Sequence, residues 1–167
     1  MTESKDYTND LRIEISRDYL YPRDIAYIIQ KYYKHIIDGK INFYSLSKVN
    51  EKYTWYNFCI LTLFLPHSLS VSYIDRLIEG FQDFNWPGSA EIYVYLSFFN
   101  TDILVPAFRK AIDRAIEKND LDWLYWLLSF MSDKAFIGYE AFNNEGMIDH
   151  VERFMIAQGQ ELPQHDE

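Results

Sequence analysis

The sequence predicts an all-α protein, a single domain over residues 1–167 with six to eight helices stacked as antiparallel hairpins in a short solenoid. Three observations support this fold. Apolar residues recur at spacings of three and four along most of the chain, which is the period of a helix with one buried face. No pair of alternating segments indicates a sheet, and no stretch rich in proline or glycine indicates a linker between domains.

The first predicted hairpin reverses at residues 85–88, Asn-Trp-Pro-Gly. Helical spacing of apolar residues predicts one arm over 73–84, and a second arm is expected from Ser89 to about Phe99. Proline disfavours helical backbone angles at the residue before it, and glycine tolerates the angles that a reversal requires. The two arms should therefore run antiparallel.

The second predicted hairpin joins residues 105–118 to residues 121–131 at Asn119-Asp120. Because Pro106 lacks a backbone donor, the first arm should start near Val105 or have a kinked first turn. The second arm is apolar almost all round, which is typical of a helix surrounded by others. It is the predicted central helix.

The flanking segments give a mixed signal. Helices are expected over residues 22–36, 51–65 and 146–157. Three segments stay ambiguous: 11–15 is an extended arm or a first helical turn, 41–49 is one or two helical turns, and 134–143 is a helix or a loop. Residues 1–10 and 159–167 are expected to be flexible tails.

The charge distribution indicates the kind of partner. The formal net charge is −9, and residues 67–167 carry 7 Lys/Arg against 17 Asp/Glu. Nucleic acids and anionic membranes are unfavourable partners, since binding either relies on Lys and Arg. A basic protein is the better electrostatic match, although the alternative is that the acidity only keeps the protein soluble.

The single cysteine, Cys59, rules out an intramolecular disulfide and favours a reducing compartment. Its apolar neighbours predict a buried, inert thiol. The N-terminus lacks the apolar stretch of a secretory signal, and the run from Phe58 to Leu65 is shorter than the about 20 residues of a membrane span. A cytoplasmic protein is expected.

Chemistry-bearing residues are few and scattered. The six glycines form no phosphate-binding loop, and the four histidines lack metal-ligand spacing, so no cofactor, metal or enzymatic activity is expected. Asp75, Glu79 and Asp83 repeat every four residues and predict an acidic stripe on one helix. This stripe is either a solvated face or the contact with a cationic partner.

Trp86, at a turn, and Trp123, near a helix start, are the tryptophans whose positions least clearly indicate the core. Tryptophan is enriched in the energetic centres of protein interfaces. The alternative for each is a core or capping contact.

The block of residues 73–133 resembles an uncharacterised bacterial family that has an Asp-x-Asn-Trp-Pro turn, followed about 35 residues later by an Asp-x-Trp-x-Tyr-Trp-x-Leu helix. The matching residues are Asp83, Asn85, Trp86, Pro87, Asp120, Asp122, Trp123, Tyr125, Trp126 and Leu128. The resemblance implies HEAT-like helical hairpins and an association with immunity proteins of bacterial toxin systems. The sequence departs from that pattern at Leu124, where a lysine would be expected, and it has extra predicted helices before Tyr73.

These observations lead to the hypothesis of an immunity protein that binds a cognate toxin domain, such as a basic nuclease, and occludes its active site. The alternatives are a HEAT-like adaptor without a toxin partner, and an enzyme whose motif is not recognisable. The candidate interface consists of Asp75, Glu79, Asp83, Trp86, Asp120, Asp122 and Trp123.

Overall fold

The computed structural model describes residues 6–48 and 51–164. The regular secondary structure in these ranges is helical, and they contain no strand, so the all-α prediction is confirmed. The chain divides into two compact units. Unit 1 consists of Met1–Tyr73 and Trp86–Glu91, and unit 2 consists of Ile74–Asn85 and Ile92–Glu167. The assignment of all 167 residues to one domain stays a prediction.

Unit 1 contains the first four α-helices and two 3-10 helices. They are α1 (Tyr7–Ile15), α2 (Pro22–Ile37), a 3-10 helix (Phe43–Lys48), α3 (Lys52–Thr62), α4 (His67–Ser70) and a second 3-10 helix (Val71–Tyr73). The expected helices over 22–36 and 51–65 are therefore present. The ambiguous segment 11–15 is helical, because α1 begins at Tyr7, within the expected N-terminal tail, where the Asp6 side chain accepts a hydrogen bond from the Asn9 amide at 3.0 Å.

A buried asparagine holds the α1–α2 connection onto α3. The Asn57 side chain accepts a hydrogen bond from the Leu20 amide at 2.9 Å and donates to the carbonyl oxygens of Ile15 at 2.8 Å and Asp18 at 2.6 Å. A connection between helices has backbone groups with no partner in regular structure, and burying them unpaired is costly. One side chain thus pairs three of these groups, which lets α1 pack against α3.

Unit 2 contains the remaining helices, together with α6, which begins in unit 1 and ends in unit 2. They are α5 (Ile74–Glu79), a 3-10 helix (Gly80–Asp83), α6 (Ser89–Leu96), α7 (Thr101–Lys118), α8 (Leu121–Ser132), α9 (Tyr139–Asn144) and α10 (Met147–Ala157). The described residues thus contain ten α-helices, more than the six to eight expected. The excess arises from three short helices, α1, α4 and α9, in segments that the sequence left ambiguous or assigned to no helix.

The helix α7 corrects a predicted boundary. It starts at Thr101 instead of near Val105, because Asn100 caps it: the Asn100 side chain accepts a hydrogen bond from the Asp102 amide at 3.0 Å. Pro106 lies inside this helix on its exposed side, at the sixth position, where it removes the single ladder hydrogen bond to the Asp102 carbonyl. Asn119, in the left-handed conformation with φ 53°, ends α7 where the hairpin was expected to turn.

The helix α8 is central to unit 2, as predicted. It packs against α7, α9, α10 and the 3-10 helix Gly80–Asp83. Phe130 stacks on Phe108 with ring centroids 4.9 Å apart, and it also lies against Phe81 at 5.9 Å and Phe142 at 6.4 Å. All four rings are fully buried, so the core of unit 2 is a cluster of phenylalanines.

The turn at residues 85–88 requires its glycine, as the sequence predicts. Gly88 has φ +95°, a region that other residues avoid. A Cβ atom at this position would lie 3.0 Å from Cβ of Cys59 and 3.1 Å from its Sγ, so the turn packs directly on α3 within unit 1. Cys59 is fully buried, which confirms the predicted environment of the thiol.

Candidate protein-binding surface

The two units differ sharply in charge. Unit 1 carries nine Lys/Arg and nine Asp/Glu and is formally neutral, whereas unit 2 carries seven Lys/Arg and sixteen Asp/Glu. The entire formal net charge of −9 therefore belongs to unit 2. A cationic partner would be attracted to unit 2.

Glu79, the middle residue of the predicted acidic stripe, is neutralised inside the chain. One carboxylate oxygen accepts a hydrogen bond from Arg76 at 2.7 Å, and the other accepts one from Arg114 at 2.6 Å. The side chain is only 22% exposed. Arg114 lies on α7, 35 residues further along the chain, so this pairing holds α5 against α7. Glu79 thus stabilises unit 2 and does not present a negative charge outward.

The two outer residues of the stripe are more accessible. Asp75 lies 3.7 Å from the Lys110 ammonium group, with about half of its side chain exposed. Asp83 is exposed, and its carboxylate accepts a hydrogen bond from the Asn85 amide at 3.1 Å at the start of the turn. Like-charge repulsion is therefore offset at Asp75 and Glu79 by cations from α7, and the stripe is not an open row of carboxylates.

Trp123 is fully buried, which corrects its predicted role as a residue that contacts a partner. Its indole nitrogen donates a hydrogen bond to the Ile78 carbonyl at 3.3 Å, and the Arg114 guanidinium lies 5.3 Å from its ring centroid. Its apolar area and its polar nitrogen are both used within the fold. The Trp123 ring therefore packs against the Arg114 guanidinium, and Arg114 in turn forms an ion pair with Glu79.

Asp120 and Asp122 lie at the start of α8 with different roles. Asp120 is the N-cap, because its side chain accepts a hydrogen bond from the Trp123 amide at 3.1 Å. Asp122 is exposed in the first turn, where a negative charge is favoured by the helix dipole. Asp120 thus has a structural role, and Asp122 is accessible.

Trp86 belongs to unit 1, whereas the other six predicted residues belong to unit 2. Its side chain is partly exposed, and its carbonyl accepts a hydrogen bond from the Ser89 amide at 3.2 Å. The six residues of unit 2 fall into two groups, on α5 with its 3-10 extension and at the start of α8.

Two accessible carboxylates on α7 were missed in the choice of interface residues. Asp113 and Glu117 are exposed, one helical turn apart, and neither makes an ion pair within residues 6–48 and 51–164. The nearby Arg109 is instead bonded to Glu145, at 2.7 Å. The spacing of four residues was visible in the sequence, but the partner of Arg109 was not. Together with Asp122, these residues are the accessible carboxylates nearest the α7–α8 turn; Asp102, also exposed, lies at the other end of α7.

Two absences concern only the residues that the structure describes. No group of three or more His, Cys, Asp or Glu side chains in them is arranged to hold a metal ion. No described helix combines the length and the apolar character that crossing a membrane requires.

Fold and surface together define an all-α protein whose second unit is acidic and has a phenylalanine core. The chain belongs to the family described as domain of unknown function DUF5071, whose model matches residues 67–163, more than half of the chain. No curated protein and no solved structure matched the chain. The matched range includes all seven predicted interface residues and excludes residues 1–66. The family description assigns no activity, and the likeness to HEAT hairpins stays a prediction.

Proposed function

We propose that this chain is an immunity protein, which binds a cognate toxin domain and occludes its active site. The observation that carries the proposal is the concentration of the whole net charge in unit 2, with three accessible carboxylates on one hairpin: Asp113, Glu117 and Asp122. A domain that cleaves nucleic acid must bind phosphates, and it does so largely with Lys and Arg. Carboxylates placed against those cations would compete directly with the substrate.

The α7–α8 hairpin is well suited to such binding because its own contacts hold it in place. Asp120 caps α8, the Glu79–Arg114 bond ties α7 to α5, and Phe130 on α8 stacks on Phe108 of α7. A surface that is already ordered loses little conformational entropy when it binds. Complementary charge would then speed association, as it does in other complexes of oppositely charged proteins.

The proposed site of action is the cytoplasm, where a toxin that attacks intracellular targets must be met. The absence of a recognisable catalytic constellation in the sequence fits a protein that acts by binding, and the proposal includes no enzymatic activity and no cofactor.

A second candidate function is a helical adaptor without a toxin partner. The observation that favours it is the number of exposed tyrosines in unit 1, since tyrosine is enriched at protein interfaces. Six tyrosines of unit 1 are exposed: Tyr19, Tyr21, Tyr27, Tyr33, Tyr44 and Tyr53. Such a surface would bind a protein without requiring that protein to be basic.

Co-expression separates the two candidates. The product of the gene adjacent to the one that encodes this chain would be expressed in a susceptible host, alone and together with the full chain. The immunity proposal predicts that the neighbour alone arrests growth, that the chain restores growth, and that the two proteins co-purify. If the neighbour arrests growth, the chain does not restore it and the two proteins do not co-purify, the immunity proposal would be contradicted and the adaptor favoured.

A further inference from the structure

Unit 2 exposes a group of large apolar side chains around a cavity. Val94, Phe98 and Ile137 are 57%, 70% and 98% exposed. With Phe136 they line a cavity of about 350 Å³, whose remaining lining includes Tyr93 and Asp133. These residues all belong to unit 2. Folding of unit 2 gains nothing from exposing three apolar side chains next to one another, so the group indicates a contact with another molecule.

The floor of this cavity is held firmly by the phenylalanine core. The Tyr93 ring lies edge-on to Phe130 at 4.8 Å and is 5.8 Å from Phe81 and 6.0 Å from Phe84. Phe136 lies against Phe130 at 5.0 Å. An aromatic wall that is fixed before binding costs a ligand little to order. The cavity is thus a formed site in the unbound chain.

Close backbone packing shapes the wall that Phe136 provides. A Cβ atom at Gly138 would lie 2.4 Å from two atoms of the Phe136 ring, so glycine at this position lets the ring fold back over the chain. This packing leaves Ile137, between the two, almost completely exposed. The segment after α8 therefore holds one apolar side chain in the wall and presents the next one outward.

One carboxylate, that of Asp133, lines the cavity. Asp133 follows the last residue of α8, where the partial negative charge of the helix end disfavours an anion. It accepts a hydrogen bond from the Ala135 amide at 2.9 Å, and it makes no ion pair with any residue that the structure describes. Burial, reinforced by the charge of Asp133, raises the pKa of Tyr93 to about 12, so the phenol stays protonated and Asp133 is the negative group of the site.

Apolar and aromatic walls beside one unpaired carboxylate favour a particular side chain. The guanidinium group of arginine stacks on aromatic rings and binds carboxylates, and its aliphatic stem packs along apolar surface. The same positive charge would also interact favourably with the partial negative charge at the C-terminal end of α8, beside Asp133. A neutral or acidic ligand would leave Asp133 without a counter-charge.

We propose that this cavity is an anchor site that takes an arginine side chain from an apolar and basic segment of a protein partner. The proposal rests on the proposed function, since the same basic toxin domain would supply the segment. Its guanidinium pairs with Asp133, and the apolar residues flanking the arginine cover Val94, Phe98 and Ile137. This anchor would set the lifetime of the complex, while the carboxylates of the α7–α8 hairpin would set its rate of formation.

The test uses the full chain and a short synthetic peptide, N-acetyl-Leu-Arg-Leu-amide, with a second peptide in which citrulline, the neutral analogue, replaces arginine. Methyl resonances of Val94 and Ile137 should shift on titration with the arginine peptide. Citrulline should weaken binding by about tenfold or more, as expected for loss of a charge-assisted hydrogen bond. No shift of these methyl groups, or equal binding of both peptides, would overturn the proposal.

Four variants define the site. Asp133→Asn keeps an oxygen that can accept the hydrogen bond from the Ala135 amide, and it should weaken binding of the arginine peptide as much as the change to citrulline does. Ile137→Ser should weaken binding of both peptides. The controls Glu161→Gln and Ile156→Ser remove an accessible carboxylate and an exposed isoleucine elsewhere in unit 2, and they should bind as the unaltered chain does. Binding that is insensitive to Asp133→Asn, or equally sensitive to the controls, would place the arginine elsewhere and refute the anchor.

Because the peptide titration involves no toxin, its result is independent of the growth test. Peptide binding without rescue would leave an arginine-binding cavity and contradict the immunity proposal. Rescue without peptide binding would leave the immunity proposal and contradict the anchor.

Discussion

The two units use aromatic residues in opposite ways. Unit 1 contains ten tyrosines and three phenylalanines, whereas unit 2 contains four tyrosines and nine phenylalanines. All six of the exposed tyrosines belong to unit 1, and the buried cluster of Phe81, Phe108, Phe130 and Phe142 belongs to unit 2. A phenol has a polar end that water can solvate, while a phenylalanine ring gains most when it is fully buried. Unit 1 therefore places amphipathic rings on its surface, and unit 2 concentrates apolar rings inside an acidic exterior.

The comparison also separates what stabilises each unit from what each presents to a partner. The contacts of unit 1 include a buried amide that pairs backbone groups, and the core of unit 2 is built on ring packing around α8. On the outside, unit 1 is neutral and unit 2 carries the whole net charge. Three substitutions test the structural half of this comparison, and a charge experiment tests the other.

The largest effect is expected for Phe130→Ala. Removing the ring at the centre of the cluster should lower the free energy of unfolding by about 3–5 kcal/mol, the usual cost of truncating a buried phenylalanine. Denaturant unfolding measures the loss. Phe98→Ala, at a site that is 70% exposed, is the matched control and should change the stability by less than about 0.5 kcal/mol. Equal losses of stability for Phe130→Ala and Phe98→Ala would contradict the conclusion that the stability of unit 2 depends on its buried phenylalanine rings.

A smaller but still substantial effect is expected for Asn57→Ala in unit 1. The change leaves the Leu20 amide and the carbonyls of Ile15 and Asp18 without their partner, which should cost about 2–4 kcal/mol. Amide hydrogen exchange in α1 should accelerate more than exchange in α8. Asn9→Ala, at an exposed position of α1, should leave both the stability and the exchange rates nearly unchanged.

The smallest effect is expected for Asp120→Ala, which removes the N-cap of α8. Loss of a capping side chain typically costs about 1 kcal/mol. Asp122→Ala, two residues away and without a capping bond, should cost about half of that or less, through the helix dipole alone. Thermal unfolding of the two variants measures this difference, which tests whether Asp120 has a structural role while Asp122 is only an accessible surface residue.

The helical framework was largely predictable because it depends on local patterns. The apolar circumference of residues 121–131 indicated the central helix, and Pro87 with Gly88 indicated the turn. The outward charge was less predictable. Glu79 looked like part of an acidic stripe because Arg114, which pairs with it, comes from 35 residues away. An ion pair between two helices cannot be inferred from the residue spacing within either helix.

Burial was harder to predict, for a related reason. Trp123 follows a predicted turn and was included in the candidate interface, with a core contact as the alternative, and the packing of α8 turns it inward under Arg114. Phe98 and Ile137 are apolar residues next to helix ends, and both are exposed. The direction of a side chain at the end of a helix depends on the packing of neighbouring elements, and that information lies outside the local sequence.

The central claim is that unit 2 meets a basic protein through its charge, and association kinetics test it most directly. Two triple variants remove the same charge: Asp113→Asn, Glu117→Gln and Asp122→Asn in unit 2, and Asp18→Asn, Asp38→Asn and Glu51→Gln at exposed positions of unit 1. At low salt, the unit 2 triple should associate with the adjacent gene's product about tenfold more slowly, with a weaker salt dependence, while the unit 1 triple should match the unaltered chain. Equal rates for the two triples would contradict the account.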